Sequence, residues 1–136
     1  IPFGQARTVV AGSDITIVAM SRMVVIAEQA AEQLKEKGIS AEVIDLRTLS
    51  PLDEGAVLES LAKTGRLVVV DESNPYCSMA SEIAGLAVER GFDTLDAPVK
   101  RVTAPHTPVP ATPCLEIEYV PNAAKVIAAV EETLAY

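Results

Sequence analysis

The side chains that could do chemistry fall at four places: Ser21-Arg22, Asp45 to Thr48, Asp71-Glu72-Ser73-Asn74 and Ala104-Pro105-His106-Thr107. Together they offer carboxylates, two arginines and the only histidine, the groups from which acid–base and nucleophilic sites are built. Asp71, Glu72 and His106 are the candidate polar residues of this set. Asp71 and Glu72 are adjacent, and neighbours in an extended segment point apart, so they make a poor acid–base pair. His106 could serve a Ser-His-Asp triad, but no GxSxG surrounds Ser21, Ser73 or Ser78. Neither GxGxxG nor GxxxxGK[ST] occurs, so a dinucleotide or nucleotide phosphate has no glycine-rich cradle. Cys77, just before a predicted helix, could be a low-pKa thiol; the simpler expectation is a small, half-buried residue at a helix start. Cys77 and Cys114 form no CxxC, and with one histidine no structural zinc site is expected. Two reduced thiols, in a cytoplasmic protein, are expected rather than a disulfide.

The four places gain meaning from the elements that would hold them. Residues 14–20 form a continuous β-branched run, which reads as a strand covered on both faces. Met23 to Lys37 has helical period, with Met23, Ile26, Ala27, Ala30, Ala31 and Leu34 on one face. Gly38 stops it by entering the left-handed conformation. The unit then recurs. A strand at Ala41–Asp45 precedes a helix capped by Asp53, carrying Val57, Leu58, Leu61 and Ala62 inward and ending at Gly65. A strand at Arg66–Asp71 precedes a helix beginning at Ser78, with Met79, Ile83, Leu86 and Ala87 inward and Gly91 as the stop. Lys35, Lys37, Lys63 and Arg90 stand where a cation suits a helix carboxyl end. Val99–Thr103 is a fourth strand. Asn122 caps a last helix with Ala123, Val126, Ile127, Val130 and Leu134 on one face. Thr8-Val9-Val10 adds a short edge strand. Repeats of roughly 30 residues are the size of a βαβ unit and make parallel sheets. In such sheets ligands bind beyond the carboxyl ends of the strands, which is where all four polar places fall; loops are polar in any case. Ala97 to Pro121 holds six of the nine prolines and reads as a stiff extended connection.

Composition sets the outer bounds. The 136 residues predict one domain, with 49% hydrophobic and 22% charged residues, as in a globular chain. A net charge of −8 argues against nucleic acid and against anionic lipid. No apolar run approaches the roughly 20 residues that span a bilayer. Ile1 to Gln5 has no signal-peptide character, and a chain starting with Ile is expected to be a piece of a longer one.

Several segments together carry a resemblance: residues 1–7, Gly12–Val18, Ala41–Asp53 (AEVIDLRTLSPLD), Thr64–Glu72, Asp96–Pro105, Thr107–Pro110 and Tyr119–Pro121. In order, and over essentially the whole chain, they resemble the C-terminal, transketolase-C-like domain of the beta subunit of thiamine-diphosphate-dependent 2-oxo acid dehydrogenases. Asn74-Pro-Tyr-Cys-Ser78, in place of a glycine-rich turn, and His106, where pyruvate-type members look to have Asp, resemble the acetoin dehydrogenase branch. Pro110-Ala-Thr-Pro113 departs from the commoner Pro-Phe-Ser-Pro.

The resemblance implies a three-layer α/β/α domain over residues 1–136, with a mostly parallel sheet of about five strands. It implies that the pyrimidine-binding domain precedes Ile1, and that thiamine diphosphate and magnesium bind outside this domain, together with the catalytic acid–base residues. No catalytic, cofactor-binding or metal-binding residue is therefore carried onto this chain. The implied role is assembly: with an alpha subunit, with a second beta subunit as a homodimer, and with the basic subunit-binding domain of the lipoyl acyltransferase. An acidic chain complements a basic module, and Tyr136, ending the last helix, is a candidate anchor for a partner arginine. The domain alone is expected to be inactive. Two further readings stay open: a free-standing flavodoxin-like binding or electron-transfer module, and a fragment of transketolase or deoxyxylulose-phosphate synthase.

Overall fold

The computed structural model describes residues 2–136; Ile1, which opens the first resembling segment, lies outside them. The strands are β1 (Arg7–Val10), β2 (Ile15–Ala19), β3 (Ala41–Asp45), β4 (Leu67–Val70) and β5 (Lys100–Val102). The helices are α1 (Met23–Glu36), α2 (Glu54–Thr64), α3 (Met79–Gly91), α4 (Pro113–Tyr119) and α5 (Ala123–Leu134), with a 3-10 turn at Phe92–Thr94. The strands form one sheet in the order β1-β3-β2-β4-β5. β3, β2, β4 and β5 run parallel, and β1 is an antiparallel edge on β3.

Period-two alternation sorts the apolar strand residues between two cores. Ile15, Ile17, Ala19, Val43, Val68 and Val70 face α1 and α5. Val18, Ile44, Leu67 and Val69 face α2 and α3. Helices on both faces leave β2 and β4 wholly buried, which is why their sequences are unbroken apolar runs but for Thr16. Each fully buried aliphatic side chain contributes about 1.5–3 kcal/mol.

The helix ends follow local chemistry. Asp53 accepts from the Ala56 N–H, Ser78 from Ser81 and Asn122 from Lys125, satisfying first-turn donors that have no partner within the helix. Gly65 closes α2 in the left-handed region.

Four expectations are corrected. Ala97–Pro121 is not extended throughout, because α4 lies within it. Pro113 takes the first helical position, where its missing N–H costs nothing, and Cys114–Tyr119 holds no further proline. Pro121 then bars helical backbone at Val120. Ala62 is exposed, since α2 turns Ser60 and Thr64 inward with Val57 and Leu61. Gly91 ends nothing in the left-handed region: α3 runs on into the 3-10 turn, and a Cβ there would lie 2.9 Å from Leu61 Cδ2, so close packing on α2 explains it. Cys77 is exposed rather than half-buried.

Candidate functional site

The strand order reverses between β2 and β4, so the crevice that usually receives ligands opens between Met20–Arg22 and Asp71–Ser73. Asp71 is buried there, one residue past β4. Its Oδ1 accepts from Ser73 N–H at 3.0 Å and its Oδ2 from Ala80 N–H at 3.3 Å. The carboxylate thus braces the turn into α3 and is directed at its own backbone. Glu72 faces solvent, so the pair does point apart, as adjacent extended residues must.

The loops after β4 and β5 are drawn together. Ala104 N–H donates to Ser73 O at 3.0 Å. The Tyr76 and His106 rings meet edge to face with centroids 4.6 Å apart, a geometry favoured by aromatic quadrupoles. His106 is exposed. Ser21, Arg47 and Cys77 all adopt positive φ, at 52°, 57° and 51°. Left-handed backbone costs a non-glycine residue about 1–2 kcal/mol, and all three positions follow carboxyl ends of parallel strands. Cys77 and Cys114 are both free thiols. Among the described residues, no three His, Cys, Asp or Glu side chains are grouped to hold a metal ion, and the carboxylate nearest the crevice is already committed. The residues present do not fit a magnesium–diphosphate group, and we assign that group to no residue of this chain. Also among the described residues, no helix is long and apolar enough to cross a membrane.

Tyr136 is 72% exposed, and Lys100 lies within its electrostatic reach. A hydrogen bond from Lys100 to Glu132 raises the Lys100 pKa above its usual value, with Tyr136 adding to the effect. A partner arginine at Tyr136 would therefore meet a neighbouring cation.

The most organised polar cluster lies at the opposite, amino end of the strands, where sequence reading placed nothing. Thr16 Oγ1 on β2 is 2.7 Å from both Ser60 Oγ and Thr64 Oγ1 on α2. Ser60 Oγ donates to Glu42 Oε1 on β3 at 2.7 Å. Lys63 is paired with Glu42 Oε2, which also accepts from Gly12 N–H at 3.3 Å. Burial pushes the Glu42 carboxyl up, but the bonds from Lys63, Ser60 and Gly12, with the Lys63 charge, outweigh it and hold the group below the usual carboxylate range. The signal was present: a Glu and a Thr each second in a buried strand, and a Ser and a Thr four apart on one helix face. The cluster ties β2, β3 and α2 together; its polar atoms are satisfied internally, so its chemistry is structural.

Comparison with known proteins assigns a lineage to this geometry. Residues 4–126 match the family profile described as "Transketolase, C-terminal domain". The acetoin:2,6-dichlorophenolindophenol oxidoreductase subunit beta of Bacillus subtilis (strain 168) is 52% identical over 134 residues, covering 98% of this chain and 39% of that protein. The pyruvate dehydrogenase E1 component subunit beta of Leifsonia xyli subsp. xyli is 45% identical over 136 residues, covering 100% of this chain and 40% of that protein. The chain thus spans well under half the length of these curated relatives. Among solved structures, a "Split gene transketolase, inactive beta4 tetramer" superposes with a TM-score of 0.88 at 31% identity, covering 99% of this chain and 44% of that one.

Proposed function

This chain belongs to the transketolase C-terminal domain family, and on that premise we propose that it is the assembly domain of the beta subunit of a thiamine-diphosphate-dependent dehydrogenase acting on acetoin or pyruvate. The observation that carries this is the 52% identity to the acetoin-oxidoreductase beta subunit across nearly the whole chain. It favours the family reading over a flavodoxin-like electron-transfer module. Acetoin is the preferred substrate class, because two acetoin-oxidoreductase beta subunits are 52% and 49% identical, against 45% for the pyruvate dehydrogenase one.

The complete enzyme, in the cytoplasm, would cleave its substrate oxidatively, with thiamine diphosphate supplying the carbanion chemistry when bound elsewhere in the assembly. This chain's residues supply rigidity and surface. They pack against the alpha subunit and a second beta subunit, and they offer an acidic face to the basic subunit-binding domain of the lipoyl acyltransferase. The bracing of Asp71 on its own backbone, the closed Glu42 network and the exposed apolar side chains support a scaffolding role.

A hybrid tests this. Residues 4–126 of this chain replace the matching part of the Bacillus subtilis beta subunit, co-expressed with its alpha subunit. Acetoin-dependent reduction of 2,6-dichlorophenolindophenol should be retained. A hybrid that folds yet fails to join the alpha subunit sinks the reading. The 136-residue chain alone should give no calorimetric heat with thiamine diphosphate and magnesium; saturable heat would place the cofactor in the wrong domain.

A further inference from the structure

We infer that Thr48 and Asp53 form a clasp that fixes where the polypeptide upstream of β1 joins this domain. The inference rests on the assembly reading above, under which a further part of the beta subunit precedes this one. It gives a physical task to two of the sequence segments singled out above, residues 1–7 and Ala41–Asp53. The sheet joins these segments at Arg7, which lies opposite Asp45. Before Arg7 the ladder stops, and side chains of the loop between β3 and α2 take over. Gly4 N–H donates to Thr48 Oγ1 at 3.0 Å, and Ala6 N–H donates to Asp53 Oδ2 at 2.8 Å.

Each acceptor is itself held by a second bond. Thr48 Oγ1 spends its one proton on Pro51 O, at 2.9 Å, so only its lone pairs face Gly4. Asp53 uses its other oxygen, Oδ1, to cap α2 through Ala56 N–H at 3.1 Å. The carboxylate is therefore fixed on a helix end, and the upstream segment meets a rigid acceptor. Gly4 answers to close approach: its φ is +70°, and a Cβ there would lie 2.9 Å from Pro51 Cγ. Ala6 packs, partly buried, against the core beneath α2 and α3. Phe3, Gln5 and Arg7, which alternate with the two gripped residues, are exposed. Bonds that served only the edge strand would fall on the amides of β1; these fall on residues before it. A segment held at two amides, two residues apart, can leave the domain in one direction only. Thr48 and Asp53 are thus positioning residues for the part of the subunit that precedes them.

The test uses the full natural polypeptide that carries this chain. Thr48→Val keeps the shape of the side chain and removes both hydroxyl bonds. Asp53→Ser keeps an N-cap for α2 and is too short to hold Ala6 as well. Hydrogen exchange of the Gly4 amide in the first variant, and of the Ala6 amide in the second, should quicken roughly three- to tenfold, the effect of one lost hydrogen bond. Chymotryptic cleavage after Phe3, which is 86% exposed, should quicken in both. Thr48→Ser should exchange like the wild type, and the amides of β1 should keep their wild-type rates throughout. If Asp53→Ser does not fold, Thr48→Val decides alone, because it leaves the cap intact. A rise of the same size at the β1 amides would mean that the bonds merely hold the edge strand, and the clasp is overturned. Wild-type rates at Gly4 and Ala6 overturn it as well and leave the assembly reading standing. A natural polypeptide with nothing upstream of this segment overturns the assembly reading and the clasp together.

Discussion

At the amino ends of β2 and β3, Thr16 and Glu42 lie buried under α2, and their polar atoms are spent on Ser60, Thr64 and Lys63. At the carboxyl ends, Glu72 and His106 face water, three non-glycine residues hold left-handed backbone, and the one buried carboxylate, Asp71, caps its own chain. The residue types at the two ends are similar, and what differs is cover. The last turns of α2 cover the amino ends of β2 and β3 and exclude water there, so the buried polar groups must find protein partners. The carboxyl-end loops keep their water and need none. Polar residues beyond parallel strands therefore do not by themselves mark a site, and a charge inside an apolar strand reports on folding more strongly than a cluster of charges in a loop.

The contrast breaks most visibly at Glu42. Glu42→Ala should cost about 2–3 kcal/mol in urea denaturation at pH 7, leaving Ser60 and the half-exposed Lys63 without their acceptor. Less than about 0.5 kcal/mol would mean water replaces the carboxylate freely. The same group sets a pH dependence. Its pKa is lowered from 4.5 on folding, so its stabilisation is full above that value and lost as pH falls through the lower folded value. The gap between wild type and Glu42→Gln should thus be widest near neutrality and shrink as pH falls below 4.5. A gap that widens on acidification contradicts the assigned direction.

Asp71→Ala comes next, at about 1–2 kcal/mol, through loss of the brace on Ser73 and Ala80. If it spares stability but abolishes acetoin-dependent turnover in the hybrid enzyme, the carboxyl end has chemistry that this account denies it. Asn122→Ala should cost about 1 kcal/mol by uncapping α5, and thermal melts resolve that. Glu72→Gln and His106→Ala, both exposed, should fall within about 0.5 kcal/mol of wild type. In the hybrid they should leave turnover within about twofold, equivalent to less than half a kcal/mol in barrier. A tenfold loss from either would reinstate the carboxyl-end residues as functional.

Much of the fold was legible. β3 lies where Ala-Glu-Val-Ile-Asp places it, and Asp53, Ser78 and Asn122 cap the helices they precede, because these depend on alternation and on local hydrogen bonds. α4 was hidden by the prolines around it, since the seven residues between Pro113 and Pro121 are too few for a helical period to show. Ala62 was misplaced because alanine fits either side of a helix, whereas Ser60 and Thr64 point inward only once Thr16 and Glu42 exist to receive them. The candidate site was legible as a list of polar loop residues, and the burial of Asp71 against its own backbone was not.

What the sequence determined by itself is whatever acts within a few residues or through composition: strands and helices, their caps, the three-layer class, the acidic surface and the family motifs. Only the tertiary structure decided the strand order, the side of the sheet each helix covers, the closure of Glu42 with Ser60 and Lys63, and the exposure of Tyr76, Val88 and Phe92. These depend on contacts between residues far apart in the chain. Burial, which makes one carboxylate structural and leaves another free in water, is completed by what packs on top of it.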